Sequence, residues 1–187
     1  MRIIAGKFKG RVIDMPKAIR PTSGKVREAL FEILKDRIQG SSFLDLYCGS
    51  GAMGIEAFSR GAESVALVDS DFKCISTLKK NLLSLDILDS SSVNIYNKDA
   101  IMALKGFREK SVTFDIVFLD PPYHGEAAKN TLIAISNYDI LARNAVIVAE
   151  VFKKQDLPKE VGSIKKVRTS QYGDTKLEFF TEGERQK

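Results

Sequence analysis

From residue 42 onward the chain alternates between continuous apolar runs and amphipathic stretches. Residues 42–47 (SFLDLY), 64–69 (SVALVD), 92–96 (SVNIY), 114–120 (FDIVFLD) and 145–152 (AVIVAEVF) are short and rich in β-branched and aromatic residues. Such runs mark strands buried on both faces. Between them, residues 52–60 predict a helix stopped at Gly61. Residues 72–86 predict another, with Ile75, Leu78, Leu82 and Leu85 along one side, and a third falls at roughly 126–136. Upstream, Val26, Leu30, Ile33 and Leu34 recur at helical spacing, with Thr22 or Ser23 to cap the helix and Gly40 to end it. Residues 164–172 and 175–181 alternate polar and apolar positions and predict a terminal antiparallel pair. Residues 2–5 and 10–14 flank Gly6 to Gly10 and predict a further hairpin, after which Pro16 and Pro21 break the chain.

Alternating strands and helices with apolar strands imply an α/β fold: a doubly wound, mainly parallel sheet of seven strands, covered on both faces, with the antiparallel pair at one edge. Its ligand belongs beyond the carboxyl ends of the strands, at the switch point. One domain over residues 1–187 is expected. It comprises a basic N-terminal hairpin extension (1–20), a catalytic core (21–182) and a polar tail (183–187).

Charge adds a feature that the pattern does not carry. The net charge is +5, but eight cations against Asp14 alone put the first 27 residues at +7 and the rest at −2. So local a cluster suits a phosphate backbone. Arg2, Lys7, Arg11, Arg20 and Arg27 are the candidate RNA contacts. Arg27, on a helix beside Glu28, could instead form a structural ion pair. Two cysteines and one histidine exclude a disulfide framework and a His-rich metal site. No metal is expected. No apolar stretch reaches the roughly 20 residues of a membrane span, the N-terminus lacks a secretory h-region, and a cytoplasmic location is the simplest expectation.

Two motifs carry chemistry, both at strand ends. Gly49-Ser50-Gly51-Ala52-Met53-Gly54 is a full G-x-G-x-x-G between a strand and a helix. It suits a nicotinamide dinucleotide or S-adenosylmethionine equally well. The acids separate the two. Asp45 would repel a pyrophosphate but attracts a sulfonium and an ammonium. Asp69, ending the second strand, is placed for a ribose diol. Asp99, after the third, could accept from an adenine amine or could cap a helix. Asp71 is a further possible ribose ligand, better read as a helix cap. Tyr47, Gly49, Ser50, Gly51, Ser70 and Ala100 complete the expected cofactor contacts.

The second motif is Asp120-Pro121-Pro122-Tyr123. A rigid turn after a strand explains the prolines, but not Asp120 or Tyr123. An exocyclic base amine is a poor nucleophile because its lone pair is delocalised into the ring. A carboxylate at Asp120 and the Pro121 carbonyl can accept its two N–H groups and turn the lone pair toward a methyl donor. Tyr123 can stack on the base, which must leave any stack to reach such a pocket. A carbon-5 pyrimidine methyltransferase would need a nucleophilic cysteine. Cys48 lies in the glycine loop and Cys74 in a helix, and both are read as structural. His124 is read as a passive loop residue.

These residues resemble the bacterial 16S ribosomal RNA guanine-N2 methyltransferases, the RsmD type. The resemblance rests on MRIIAGKFKGR, Arg20-Pro21-Thr22 with Val26-Arg27-Glu28-Ala29-Leu30-Phe31, LDLYCGSGAMGIEA, DPPY, and Gln171-Tyr172-Gly173-Asp174-Thr175-Lys176-Leu177. It implies a Rossmann-like class I methyltransferase fold, S-adenosylmethionine as donor, and N2 of a guanine in small-subunit rRNA as target. The partner would be ribosomal RNA or a small-subunit assembly intermediate, and the enzyme a monomer. It also implies that Asp120 to Tyr123 are catalytic and that Asp45, Gly49, Gly51, Asp69 and Asp99 hold the cofactor. Asp69 departs from the Glu often found there. The same tetrapeptide also serves enzymes acting on another RNA base, on DNA or on a protein glutamine. A nicotinamide oxidoreductase leaves it unexplained.

Overall fold

The computed structural model describes residues 1–16, 23–122 and 126–183. Its sheet is built from β1 (Ser42–Leu46), β2 (Ser64–Asp69), β3 (Val93–Asn97), β4 (Phe114–Leu119), β5 (Leu141–Phe152), β6 (Glu160–Val161), β7 (Ile164–Tyr172) and β8 (Thr175–Glu182). The helices are α1 (Gly24–Ile33), α2 (Lys35–Ile38), α3 (Ala52–Ser59), α4 (Phe72–Ser84), α5 (Ala100–Glu109) and α6 (Ala127–Tyr138). The strand order is β3-β2-β1-β4-β5-β8-β7-β6. The first five strands run parallel, and β5–β8, β8–β7 and β7–β6 pair antiparallel. The order reverses between β1 and β4, which sets the switch point there.

The doubly wound expectation holds, with eight strands instead of seven. The extra strand, β6, is two residues long and turns back on β7 through Gly162, whose φ is +56°. It is too short to leave an alternating pattern. Helix α5 was also missed at the sequence level. Asp99 caps it, accepting from Ile101 N and Met102 N, and Ala103, Leu104 and Phe107 are its buried face.

Period-two alternation along each buried strand sorts the core into two layers. Phe43, Leu67, Ile116 and Phe118 join α1, α3 and α4 on one face; Leu44, Leu46, Val68 and Val117 join α5 and α6 on the other. Gly54 of α3 shows how close the first layer packs: a Cβ there would stand 2.2 Å from Leu67 Cδ2.

The N-terminal segment is not the two-stranded hairpin expected. A single antiparallel bridge, Arg2 with Val12, links its two limbs, supported by Ile3 N to Arg11 O and Ile13 N to Met1 O. What holds it is burial against α3. Ile3, Phe8 and Ile13 are core residues, each worth about 1.5–3 kcal/mol of transfer free energy. Gly6, at φ +79°, lies so close to α3 that a Cβ would overlap Ser59 O. Lys7 N donates to Ser59 O at 2.7 Å, and Ile4 N and Ala5 N donate to the Glu56 carboxylate at 2.9 and 3.0 Å. The segment is a docked arm. Helix α1 begins at Ser23, whose hydroxyl accepts from Val26 N; Thr22, Pro21, Arg20, Tyr123, His124 and residues 184–187 lie outside the described residues. Among those described, no helix is long and apolar enough to cross a membrane.

Candidate active site

Four carboxylates gather at the carboxyl ends of β1 to β4. Asp45, the fourth residue of β1, is 1% exposed and accepts from Gly54 N at 2.9 Å. Asp69 ends β2. Its Oδ2 accepts from Gly49 N and its Oδ1 from Asp71 N, each at 2.8 Å. Asp99 follows β3. Asp120 follows β4, and its main-chain N–H lies 3.4 Å from Leu46 O, one residue past Asp45. The glycine loop and the tetrapeptide therefore leave neighbouring strands side by side.

The loop is shaped by its own hydrogen bonds. Tyr47, Gly49 and Gly51 have φ of 63°, 55° and 80°. This left-handed run costs little at glycine and more at Tyr47. Gly49 N serves Asp69, Gly51 N serves Cys48 O at 2.7 Å, and Gly54 N serves Asp45. A pyrophosphate would need these N–H groups turned outward to it. Here they point inward, two of them onto carboxylates. This arrangement disfavours a dinucleotide.

It suits a cation. Burial, with Asp69 nearby, pushes the Asp45 carboxyl up to about 7 even though Gly54 N–H opposes the shift. A buried carboxylate in that state gains most from a positive ligand. Asp69 has two oxygens and about four acceptor sites, so two remain for a diol after Gly49 and Asp71 are served. The residues present thus fit S-adenosylmethionine.

Several of the residues singled out in the sequence also serve the fold. Asp99 Oδ1 is the N-cap of α5, and Ala100 is the buried first residue of that helix. Tyr47 sends its hydroxyl to Thr131 Oγ1 in α6 at 2.7 Å, bracing α6 with its side chain. Ser50 is buried, with Oγ 2.9 Å from Met15 Sδ, so it meets the arm. Ser70 is exposed and its carbonyl accepts from Asn97 Nδ2. Asp71 caps α4. Pro121 is buried and Pro122 exposed. Both cysteines are buried, and burial raises both thiols, Cys74 to about 12. Neither is a competent nucleophile at neutral pH.

Arg27 is the clear correction. It is 3% exposed, with Nε 3.7 Å from Glu56 Oε2 and NH2 2.5 Å from Arg2 O. Burial lowers its pKa. Its partner is Glu56, not Glu28, and it is not available to phosphate. Arg2, Lys7 and Arg11 are exposed; Arg2 donates to Gly10 O, Arg11 donates to Ser84 O, and Lys7 lies over the Phe8 ring.

Sequence reasoning missed Glu56, Ser59 and Asn81, which hold the arm. Glu56 also pairs with Arg60 at 2.8 Å. Asn81 is buried and holds both main-chain groups of Asp14 as well as the Ser50 carbonyl. The available signal was phase. Asn81 sits at a core position between Leu78 and Leu82, and Glu56 lies between Ile55 and Ala57 in an apolar helix.

Residues 1–181 match the family model described as Conserved hypothetical protein 95. The chain is 34% identical over 160 residues to Ribosomal RNA small subunit methyltransferase D of Escherichia coli K12, covering 84% of this chain and 78% of that one. The Haemophilus influenzae protein of the same name is 36% identical, covering 84% and 81%. The chain belongs to the ribosomal RNA small subunit methyltransferase D family. A solved structure of a Thermus thermophilus protein superposes with TM-score 0.84 at 25% identity, covering 96% of this chain and 98% of that one. Both the glycine loop with Asp45 and the docked arm lie within the residues that the family model matches.

Proposed function

We propose that this chain transfers a methyl group from S-adenosylmethionine to the exocyclic N2 amine of a guanine in small-subunit ribosomal RNA, free or within an assembly intermediate. The observation that carries this reading is the adjacency of Asp120 and the glycine loop, through Asp120 N and Leu46 O. It supports a target amine and a methyl donor meeting at one switch point. Family membership, through relatives named for small-subunit rRNA, supports the substrate.

When bound, the donor supplies an electrophilic methyl on a positive sulfur. Asp45 offsets that charge, and Asp69 holds the ribose. Asp120 accepts one N–H of the target amine and the Pro121 carbonyl accepts the other. This turns the nitrogen lone pair toward the methyl, while Tyr123 stacks on the base. The donor would supply the methyl group and retain the electron pair of its sulfur–methyl bond, and Asp120 or water would take the amine proton that is released. Positioning and electrostatics carry the rate. Arg2, Lys7, Arg11 and Arg20 hold the RNA through phosphates.

The test is to incubate the protein with labelled S-adenosylmethionine and small-subunit rRNA, stripped and as particles, and to identify the modified nucleoside by mass spectrometry. N2-methylguanosine is expected. Label on adenosine would overturn the choice of base, and no transfer to RNA in either form would overturn the reading.

A further inference from the structure

Helix α4 has an outer face that the site does not use. Phe72 is its first residue and is 73% exposed; Leu83, near its end, is 62% exposed. Both line one open groove with Lys79 and Lys80, over Ile75. The spacing of Phe72, Ser76, Lys79 and Leu83 places them along one stripe of the helix. Lys73, Lys79 and Lys80 are the only charged residues of α4. Phe72 and Leu83 bury little of their apolar area in the fold, and a surface patch that is both apolar and of one charge sign points to a ligand.

The two ends of the stripe lead to parts already described. At the N-terminal end, Asp71 caps α4 and is bonded to Asp69 at the cofactor mouth. At the other end Arg11 of the arm donates to Ser84 O, the last carbonyl of the helix. A cation there complements the helix dipole and joins the charge of the arm to that of α4. Thirteen residues of helix span about 20 Å, so Lys79 and Lys80 lie along the helix between Arg11 at one end and the acids Asp69 and Asp71 at the other.

We propose that this outer face of α4 is a track for a single-stranded segment of the substrate RNA, with a base stacked on Phe72 and phosphates on Lys79 and Lys80. Lysines lining the groove, with no acid on α4, favour a polyanion over a protein, and sequence-tolerant stacking on an aromatic ring beside a basic groove is how single strands are held. The inference rests on the reading of the chain as an RNA methyltransferase. It adds a second contact, on the flank of the target base, that fixes the direction in which the strand enters.

The experiment uses the full chain and a single-stranded RNA of about a dozen nucleotides, within the site sizes usual for such grooves. Binding is followed by anisotropy across a salt series. Lys79→Ala with Lys80→Ala is expected to weaken binding and to flatten the slope of log affinity against log salt by about one to two. Phe72→Ala is expected to weaken it by about 5- to 150-fold, from about 1–3 kcal/mol of stacking, without changing the slope. Ultraviolet cross-linking should recover the RNA on the peptide holding Phe72. S-Adenosylhomocysteine affinity should stay at the wild-type value in both variants, and its loss in Phe72→Ala would assign the ring to the cofactor and overturn the track. Unchanged RNA affinity in both variants, while Lys7→Ala with Arg11→Ala lowers it, would overturn the track alone. So would self-association of the wild-type chain that Phe72→Ala abolishes while RNA binding stays intact. Absence of RNA binding in the wild-type chain would instead sink the parent reading.

Discussion

The side-chain amide of Asn81 donates to the carbonyl of Ser50 across 3.0 Å, which ties the glycine loop to α4. The same amide pairs both ways with the Asp14 backbone, Oδ1 accepting at 2.8 Å and Nδ2 donating at 3.0 Å. Replacing Asn81 by Leu keeps the volume but leaves buried main-chain groups without partners, a penalty of about 1–3 kcal/mol. A lower melting temperature is expected, with weaker binding of both S-adenosylhomocysteine and RNA. If only stability falls and both affinities persist, the link is a packing feature without bearing on the site.

Asp45 should make cofactor affinity depend on pH. Its carboxyl titrates at about 7, and only the ionised form attracts a cation. Affinity for S-adenosylmethionine is expected to rise between pH 6 and pH 8, with proton release at pH 7 in calorimetry across buffers. For the unliganded fold the sign is opposite. A pKa raised by burial favours folding at low pH, and that contribution is lost as pH rises through about 7. Asp45→Asn should therefore melt higher than wild type at pH 8 while losing the pH-dependent part of cofactor binding. A flat affinity profile in the wild type would remove Asp45 from the site.

Asp69→Ala takes away the acceptor for Gly49 N–H and Asp71 N–H, and with it the acceptor proposed for the ribose. Each hydrogen bond to a charged group is worth about 1.5–3 kcal/mol, so cofactor affinity should fall at least about tenfold, with RNA affinity little changed. Titration of the two ligands separates the effects; an unaltered cofactor Kd would leave Asp69 as a loop brace only.

Asp120→Asn and Asp120→Ala are expected to keep the fold and most cofactor affinity while losing activity. A charge-assisted hydrogen bond of about 1.5–3 kcal/mol is removed from the amine, and its misplacement adds to the loss. Single-turnover methylation with saturating RNA is the measurement. Near-normal turnover in Asp120→Ala would end the mechanism proposed for this site.

Replacing Lys7 and Arg11 by Ala tests the arm. Both side chains are exposed, and exposed charges add little to folding, so the melting temperature should hardly move. RNA affinity should fall and the salt slope should flatten by about one to two. Wild-type values for both would place the RNA elsewhere.

The local pattern of this chain was enough to determine its layered architecture and the strand ends where chemistry belongs. Short continuous apolar runs bounded by turn residues read as buried strands, and β4 (Phe114–Leu119) was legible almost to the residue because burial on both faces acts directly on side-chain choice. The acids were legible as a group for a similar reason: carboxylates ending apolar strands need a purpose. Which acid does what was decided by the tertiary structure. Asp99 became a cap because α5 starts there, and Asp45 acquired its raised pKa from burial by residues distant in sequence. Arg27 shows the same limit most plainly. As a cation in a basic leader it looked like a phosphate contact, but Glu56, 29 residues away, faces it across the arm. Charge in a sequence is additive and has no direction, whereas a buried ion pair depends on which helix meets which. Only folding brings Glu56, Ser59 and Asn81 beneath the arm and turns a run of basic residues into a surface held against the cofactor loop.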